Sequence, residues 1–386
     1  MTQGTARMAG REPVMAEHDI EVDVAVVGAG IAGAGLAAEI AGDLRVALLE
    51  QESRPGYHTT GRSAAIFIQN YGNDTIRALS RASAPLFREA DRTLFPTPLL
   101  SQRGLLYVAN EKSLAEHAEL LSHAEGLREI AADEAVTRFP LLRQDRIAAA
   151  AYEDDAQDID VAALHQGWLK QAKAAGAQLL TDAPLTRASR DGGRWTIETP
   201  SHTVRAAVVV NAAGAWGDRV AAACGVAPIG LSPLRRTIAV LPAPEGHDMR
   251  GWPLVADSGE GWYAKPEAGR LLVSPADEDP VEPHDAFPDD MVLAEGLDRF
   301  EQAMSVAVSR VETSWAGLRT FSPDRTPVAG FDDQADGFFW LVGQGGYGMQ
   351  TAPALSRLAG QLVRGTSPDS ELESVIAALA VQRLRA

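Results

Sequence analysis

Short apolar runs, each closed by glycine or a polar turn, recur along this chain and set its element assignments. Residues 23–27 (DVAVV) are a continuous apolar run of strand length that passes straight into Gly28, Gly30 and Gly33, after which residues 34–41 take up a helical pattern. A second buried strand is expected at 45–49 and a third at 208–210, the latter ending in the small residues Asn211, Ala212, Ala213 and Gly214. A fourth, at 338–342, runs into a glycine-rich turn and a helix over 352–363. Strand, turn and helix in this order predict βα units. The runs at 105–109, 236–241 and 269–274 read instead as strands of a second layer. The expected class is therefore α/β, or α+β overall. The acidic, proline-containing stretch 275–288 reads as a surface loop.

Composition narrows the setting. A chain of 386 residues, 46% hydrophobic and 23% charged, is long enough for two packed units. No run approaches the roughly 18 apolar residues of a membrane-spanning helix. Residues 1–20 mix Arg, Glu, Gly and His without an apolar centre, and are expected to form a loose tail rather than a secretory signal. One cysteine, Cys224, rules out an internal disulfide framework and fits a cytoplasmic setting. Lys and Arg number 35 against 52 Asp and Glu, a formal charge of -17 that opposes attraction to nucleic acid or anionic lipid. The expected state is a monomer, and no metal-ligand pattern is evident.

The first glycine turn carries specific chemistry. Gly28 permits the tight turn, Gly30 lets backbone approach a pyrophosphate, and Gly33 lets the helix pack close to the sheet, with its N-terminus facing the phosphate charge. The strand at 45–49 ends at Glu50, about twenty residues past the glycines, where a carboxylate can accept from ribose hydroxyls and would repel a 2'-phosphate. These features together predict a dinucleotide site.

The glycines do not separate a nicotinamide from a flavin dinucleotide; the next segment does. Residues 56–65, with Thr59, Thr60, Arg62, Ser63, Ala64 and Ala65, are small and rich in donors, suiting a loop that lies along a flat cofactor and hydrogen-bonds its phosphates. Further on, Ala213, Gly214 and Trp216 follow a buried strand in a pattern suited to passing beneath a cofactor. The turn Gly345, Gly346, Tyr347, Gly348, Met349 and Gln350 opens a helix whose N-terminus can stabilise negative charge on a reduced flavin.

With Asp158-Ile159-Asp160, residues 163–167 and 315–319 added, these motifs in order resemble the D-amino-acid oxidase superfamily over about 21–362, and most closely bacterial D-arginine dehydrogenase. The resemblance implies a doubly wound, Rossmann-type FAD-binding domain (21–75, 150–230 and 315–386) and a substrate domain (76–149 and 231–314) whose mostly antiparallel sheet covers the flavin. It implies non-covalent FAD, held also by Ala32, Gln51 and Pro184. Relatives that bind flavin through cysteine carry it at the position of Phe321, and Cys224 reads as a buried apolar residue. The chemistry implied is hydride transfer from the α-carbon of a D-amino acid to flavin N5. The resulting imine hydrolyses to a keto acid, and oxygen or a quinone reoxidises the flavin.

By position in the motifs, Arg319 would clamp the substrate carboxylate, with Arg236 beside it; each could instead make a structural salt bridge. Tyr71 and Tyr263 would close over the substrate, and Gly346 and Gln350 would line the flavin edge. Two departures stand out. D-arginine dehydrogenase has a histidine at the position of Ile66 and, at that of Leu105, a glutamate that holds the basic tail of its substrate. Apolar residues at both positions predict a shift toward neutral or hydrophobic D-amino acids, since an unpartnered buried cation is costly. A sarcosine- or glycine-type oxidase and a non-catalytic flavin subunit of an amine dehydrogenase complex remain as competing readings.

Overall fold

The computed structural model describes residues 18–385. At its centre is a six-stranded sheet in the order Gln178–Leu180, Val46–Leu49, Val24–Val27, Val208–Asn211, Phe338–Val342, Val328–Phe331. All neighbours are parallel except the last pair. The inner strands are buried along their whole length, which is why they read as unbroken apolar runs rather than alternating ones. One face is covered by helices Ile31–Ile40, Val161–Ala174, Gly348–Arg364, Asp74–Arg88 and Ser370–Leu379. The other face is covered largely by a four-stranded sheet, with Trp195, Ile197 and Val204 packed against Val209, Phe338 and Trp340. The core is thus a Rossmann-type sheet with helices on one side and a sheet on the other.

The second unit is a nine-stranded sheet, mostly antiparallel, in which Leu254–Asp257 pairs in parallel with Leu105–Ala109. Alternation is clean here: Leu106 and Val108 face one hydrophobic cluster, while Leu105 and Tyr107 face another that contains Ile66, Tyr71 and Tyr263. A three-stranded sheet of Leu100–Gln102, Gln157–Ile159 and Ile66–Phe67 lies between the units.

Several expected boundaries move. Strands Ala149–Glu153 and Thr313–Phe321 belong to the nine-stranded sheet, so the divisions drawn at 150 and 315 fall inside or across its strands. Helix Asp74–Arg88, expected in the substrate unit, packs on Gly348–Arg364 because its apolar face, including Leu79 and Ala82, joins the core beneath the parallel sheet. His18–Glu21 is a strand paired in parallel with His202–Ala206, so the tail cannot extend to residue 20; its first 17 positions lie outside the described residues. Stretch 275–288 is not wholly a surface loop: Asp277 is buried and accepts from the Thr237 backbone N–H at 2.7 Å, and Ala286 is buried as well. No described helix is long and apolar enough to cross a membrane.

Candidate active site

A cavity of about 440 Å³ runs from the first glycine turn to the inner face of the nine-stranded sheet. Its floor is set by covalent geometry. Gly28 sits at φ +102°, and a Cβ there would lie 2.5 Å from the Ala212 carbonyl oxygen, so only glycine lets strand Val24–Val27 turn beside Val208–Asn211. The first turn of helix Ile31–Ile40 then points into the cavity, with the Ile31 N–H donating to Thr60 Oγ1 at 3.0 Å. The Thr60 hydroxyl hydrogen remains available to a ligand.

Glu50 accepts from the Ala29 N–H at 3.1 Å and the Glu52 N–H at 3.0 Å, which fixes it at the end of its strand. Burial raises its pKa, and those N–H groups offset part of the rise. His165 is bonded through Nε2 to the Ala29 carbonyl at 2.8 Å; burial lowers its pKa, favouring a neutral ring that donates. The glycine turn is therefore braced from both sides before any ligand arrives.

Segment 56–65 lies along the cavity as expected, but its donors are more committed than the sequence implied. Thr59 Oγ1 donates to the Leu318 carbonyl at 2.8 Å. Arg62, expected to reach a phosphate, donates instead to the carbonyls of Ala286 at 2.8 Å and Ala316 at 3.0 Å, and pairs with Asp285. Its guanidinium ties the cofactor loop to strand Thr313–Phe321, which carries Arg319.

At the far end stands Arg319, half-buried, with its side chain opening onto the cavity. Gly346 lies close against it: a Cβ there would sit 3.0 Å from Arg319 Nη1. Burial alone would lower the Arg319 pKa; the Tyr71 and Tyr263 hydroxyls and Glu278 outweigh it, so the guanidinium stays charged. Among the described residues no carboxylate comes within the 4.0 Å of a salt bridge to it. An enclosed cation with phenol neighbours and no carboxylate partner is suited to receiving an anionic ligand.

Arg236 behaves differently. Its Nε donates to the Asp277 carbonyl at 2.9 Å and its Nη2 to Glu278 at 3.0 Å, so its side chain lines the cavity while its charge is satisfied within the sheet. Arg236→Ala is expected to lower stability by about 1–2 kcal/mol, the usual cost of losing hydrogen bonds to a charged group. KM should change less than about tenfold, as steady-state kinetics beside thermal unfolding would check.

The expected site residues all line this cavity except Gly33, Leu105 and Tyr347. Gly33 lies beneath the turn and acts through packing. Tyr347 is buried behind Tyr71, with ring centroids 4.8 Å apart. Leu105 is 1% exposed and packs behind Ile66, Tyr71 and Tyr263, so it shapes the wall without forming it. Gln350 lines the cavity, yet its amide is spent: Nε2 donates to Ser80 Oγ at 2.8 Å and Oε1 accepts from the Ile68 N–H at 3.2 Å. Lining residues missed in the sequence include Tyr57, His58, Arg219, Ile238, Gly317 and Gln344. Ile238 was recoverable, because it is two positions from Arg236 on one strand and so shares its face. His58, bonded to Glu52 at 2.8 Å and 4.5 Å from the Trp216 ring centroid, gave no such signal. Cys224 is buried outside the lining, its thiol pushed up to about 12 by burial.

A glycine turn no side chain could occupy, a carboxylate fixed about twenty residues on, and an arginine without a salt-bridge partner among the described residues at the opposite end describe a dinucleotide site whose far wall suits an anion. The model of the DAO family, FAD-dependent oxidoreductases, matches residues 23–362, and the chain belongs to that family. FAD is its cofactor, and the residues present fit it. The chain is 24% identical to FAD-dependent oxidoreductase domain-containing protein 1 of Xenopus laevis, covering 88% of this chain and 79% of that protein. It is 26% identical to human mitochondrial sarcosine dehydrogenase over 85% of this chain and 38% of that longer protein. The fold is similar to that of glycine oxidase from Geobacillus kaustophilus, with a TM-score of 0.81 and 23% identity over 94% of this chain and 99% of that one.

Proposed function

We propose that this chain oxidises the bond between the α-carbon and the nitrogen of an amino acid, favouring D-amino acids with neutral or hydrophobic side chains. The observation that carries this reading is Arg319, a cation lining the far end of the cavity with no salt-bridge partner among the described residues. It would hold the substrate carboxylate while Tyr71 and Tyr263 close over the ligand and exclude water, and the backbone at Gly345 and Gly346 would orient the amine. When bound, FAD supplies the two-electron acceptor. The imino acid released hydrolyses to a keto acid and ammonia.

Side-chain preference follows from the wall. Among the residues lining the cavity Glu50 is the one carboxylate, and it belongs to the glycine-turn end, whereas Ile66, Ile238 and Met349 are apolar. A guanidinium or ammonium tail would be desolvated there without a counter-ion. Leu105, where D-arginine dehydrogenase has its tail-holding glutamate, lies behind the wall, directly across from the buried Glu153. A second reading, oxidation of glycine or a secondary amine, is supported by the likeness to sarcosine dehydrogenase and glycine oxidase. Their substrates also present a carboxylate beside the amine.

The test is anaerobic bleaching of flavin absorbance by a panel of D-amino acids, their L-enantiomers, glycine and sarcosine. Fastest bleaching by neutral D-amino acids, with D-arginine at least about tenfold slower, is expected. Bleaching by sarcosine alone would transfer the assignment to the secondary-amine reading, and a flavin that no amine reduces would overturn both.

A further inference from the structure

The nine-stranded sheet carries a buried carboxylate, on the face that meets the substrate end, that the reaction outlined above does not use. Glu153 ends strand Ala149–Glu153 directly opposite Leu105, which in turn lies opposite Leu254. Directly paired residues share a face. The side chain therefore lies on the face that carries Leu105, Tyr107 and Tyr263, and away from Tyr152, which points to the other cluster. Glu153 is 1% exposed, and neither carboxylate oxygen completes a hydrogen bond of normal geometry.

A buried carboxylate without a firm partner is costly, and replacing it by an apolar residue would be stabilising unless its charge has a use. Burial pushes its pKa up to about 7; the Asn70 side chain and the Gln69 and Asn70 N–H groups approach and partly offset this, while Asp155 adds to it. The other ionisable groups on this side are Tyr107 and Glu129 on the neighbouring strands, Glu260, and Lys265, which is paired with Asp158 and Glu267. Arg103 is likewise held by Asp158. Tyr107 is the diagonal neighbour of Glu153 on this face, it shares a hydrophobic cluster with Tyr71, and Tyr71 lines the cavity together with Arg319.

We propose that Glu153 is a positioning residue that, through Tyr107 and Tyr71, supplies the negative charge facing the α-ammonium of an amino acid whose carboxylate Arg319 holds. The site is then dipolar, with a cation for one end of a zwitterion and a screened anion for the other. It selects amino acids over simple carboxylates and weakens binding of the keto acid, which has lost its ammonium. The assignment concerns the α-ammonium rather than a side-chain tail because Tyr71 lines the same cavity as the carboxylate clamp Arg319. It rests on the amino-acid reading of the site, and its test needs no turnover.

Acetate, which carries the carboxylate and no ammonium, is titrated into the FAD-loaded protein and its binding read from the perturbed flavin spectrum. Ionised Glu153 repels it, so its Kd is expected to rise about three- to tenfold between pH 5.5 and 8.5, the scale of one charge acting across the substrate through an intermediate dielectric. In E153Q the dependence should be lost, and in E153D largely restored. The wild type alone also decides: acetate binding near pH 7 should take up protons, detected calorimetrically in buffers of different ionisation enthalpy. A flat pH dependence, no proton uptake, or the same dependence in E153Q would overturn the assignment. Acetate that does not bind at any pH would overturn it together with the Arg319 clamp. Failure of every amine to bleach the flavin, with pH-coupled acetate binding intact, would remove the amine-oxidation reading and leave the charge pair standing.

Stability gives an independent readout. The folded-state pKa lies above the usual value of 4.5, so the protonated form stabilises the fold; that contribution is full below about 4.5 and is lost as pH rises through about 7. The thermal midpoint of the wild type should therefore fall relative to that of E153Q from pH 5 to 8. Parallel midpoints would mean that Glu153 does not titrate there, and the proposal would fall.

Discussion

Arg319→Ala is expected to raise KM for the amino-acid substrate by about 100-fold or more, roughly 3 kcal/mol, while leaving thermal stability little changed. The two halves of this expectation come from the same geometry. The guanidinium is enclosed, lies against the backbone at Gly346, and has Tyr71 and Tyr263 as neighbours, with no carboxylate within salt-bridge distance among the described residues. In the free protein its desolvation is offset by the tyrosine hydroxyls and Glu278, so removing it changes stability little. In the complex the substrate carboxylate completes the pair, so removing it strands that carboxylate. An arginine serving the fold would show the opposite split, as expected for Arg236, whose donors end on Asp277 and Glu278. Arg319→Lys should fall between, because an ammonium keeps the charge and loses the planar two-point contact. Steady-state kinetics and thermal unfolding on the same preparations would check both halves. Unchanged KM in Arg319→Ala would remove the residue from the site and with it the observation on which the proposed function stands.

What could be read in the sequence, and what could not, follows the range of the forces involved. The glycine turn was legible because its constraints are local: strand, positive φ and helix lie within about a dozen residues, and each leaves its own residue type. The buried strands were legible for the same reason. Donor allegiance was not. Arg62 and Arg236 occupy motif positions that suit ligand binding, yet their partners, Asp285, Ala286, Ala316, Asp277 and Glu278, are brought to them from 41 to 254 positions away. Nothing local to either arginine reports that pairing. Leu105 illustrates the same limit in a strand: alternation gives its face, but not whether Ile66 and Tyr71 stand between it and the cavity. Glu153 escaped notice because an acidic residue at a strand end beside Asp154 and Asp155 looks like ordinary surface. Only the register with Leu105 shows that it points inward.

Gly33→Ala is expected to yield protein with little or no yellow colour, its FAD affinity reduced by about 100-fold. A Cβ at this position would sit 1.9 Å from the Gly28 carbonyl oxygen and 3.2 Å from Val26 Cγ1. The first is a backbone atom, and it has nowhere to go. The Gly28 N–H is bonded to the Leu49 carbonyl at 2.8 Å, and the adjoining Val27 carbonyl accepts from the Ala212 N–H at 2.9 Å. Moving the helix instead would pull Leu36, Ala37 and Ile40 from the core they share with Leu355, Leu358 and Ala359. Either adjustment shifts the helix N-terminus that faces the cofactor phosphates, and overpacking of this kind costs up to about 3 kcal/mol, which corresponds to the expected loss. Gly42→Ala is the control: it follows the same helix, a Cβ there meets nothing within 4 Å, and it should bind FAD as the wild type does. Flavin content per chain and titration of the apoprotein with FAD would measure both variants. Wild-type affinity in Gly33→Ala would show that the turn tolerates a side chain and that cofactor binding does not depend on this close approach of helix to sheet.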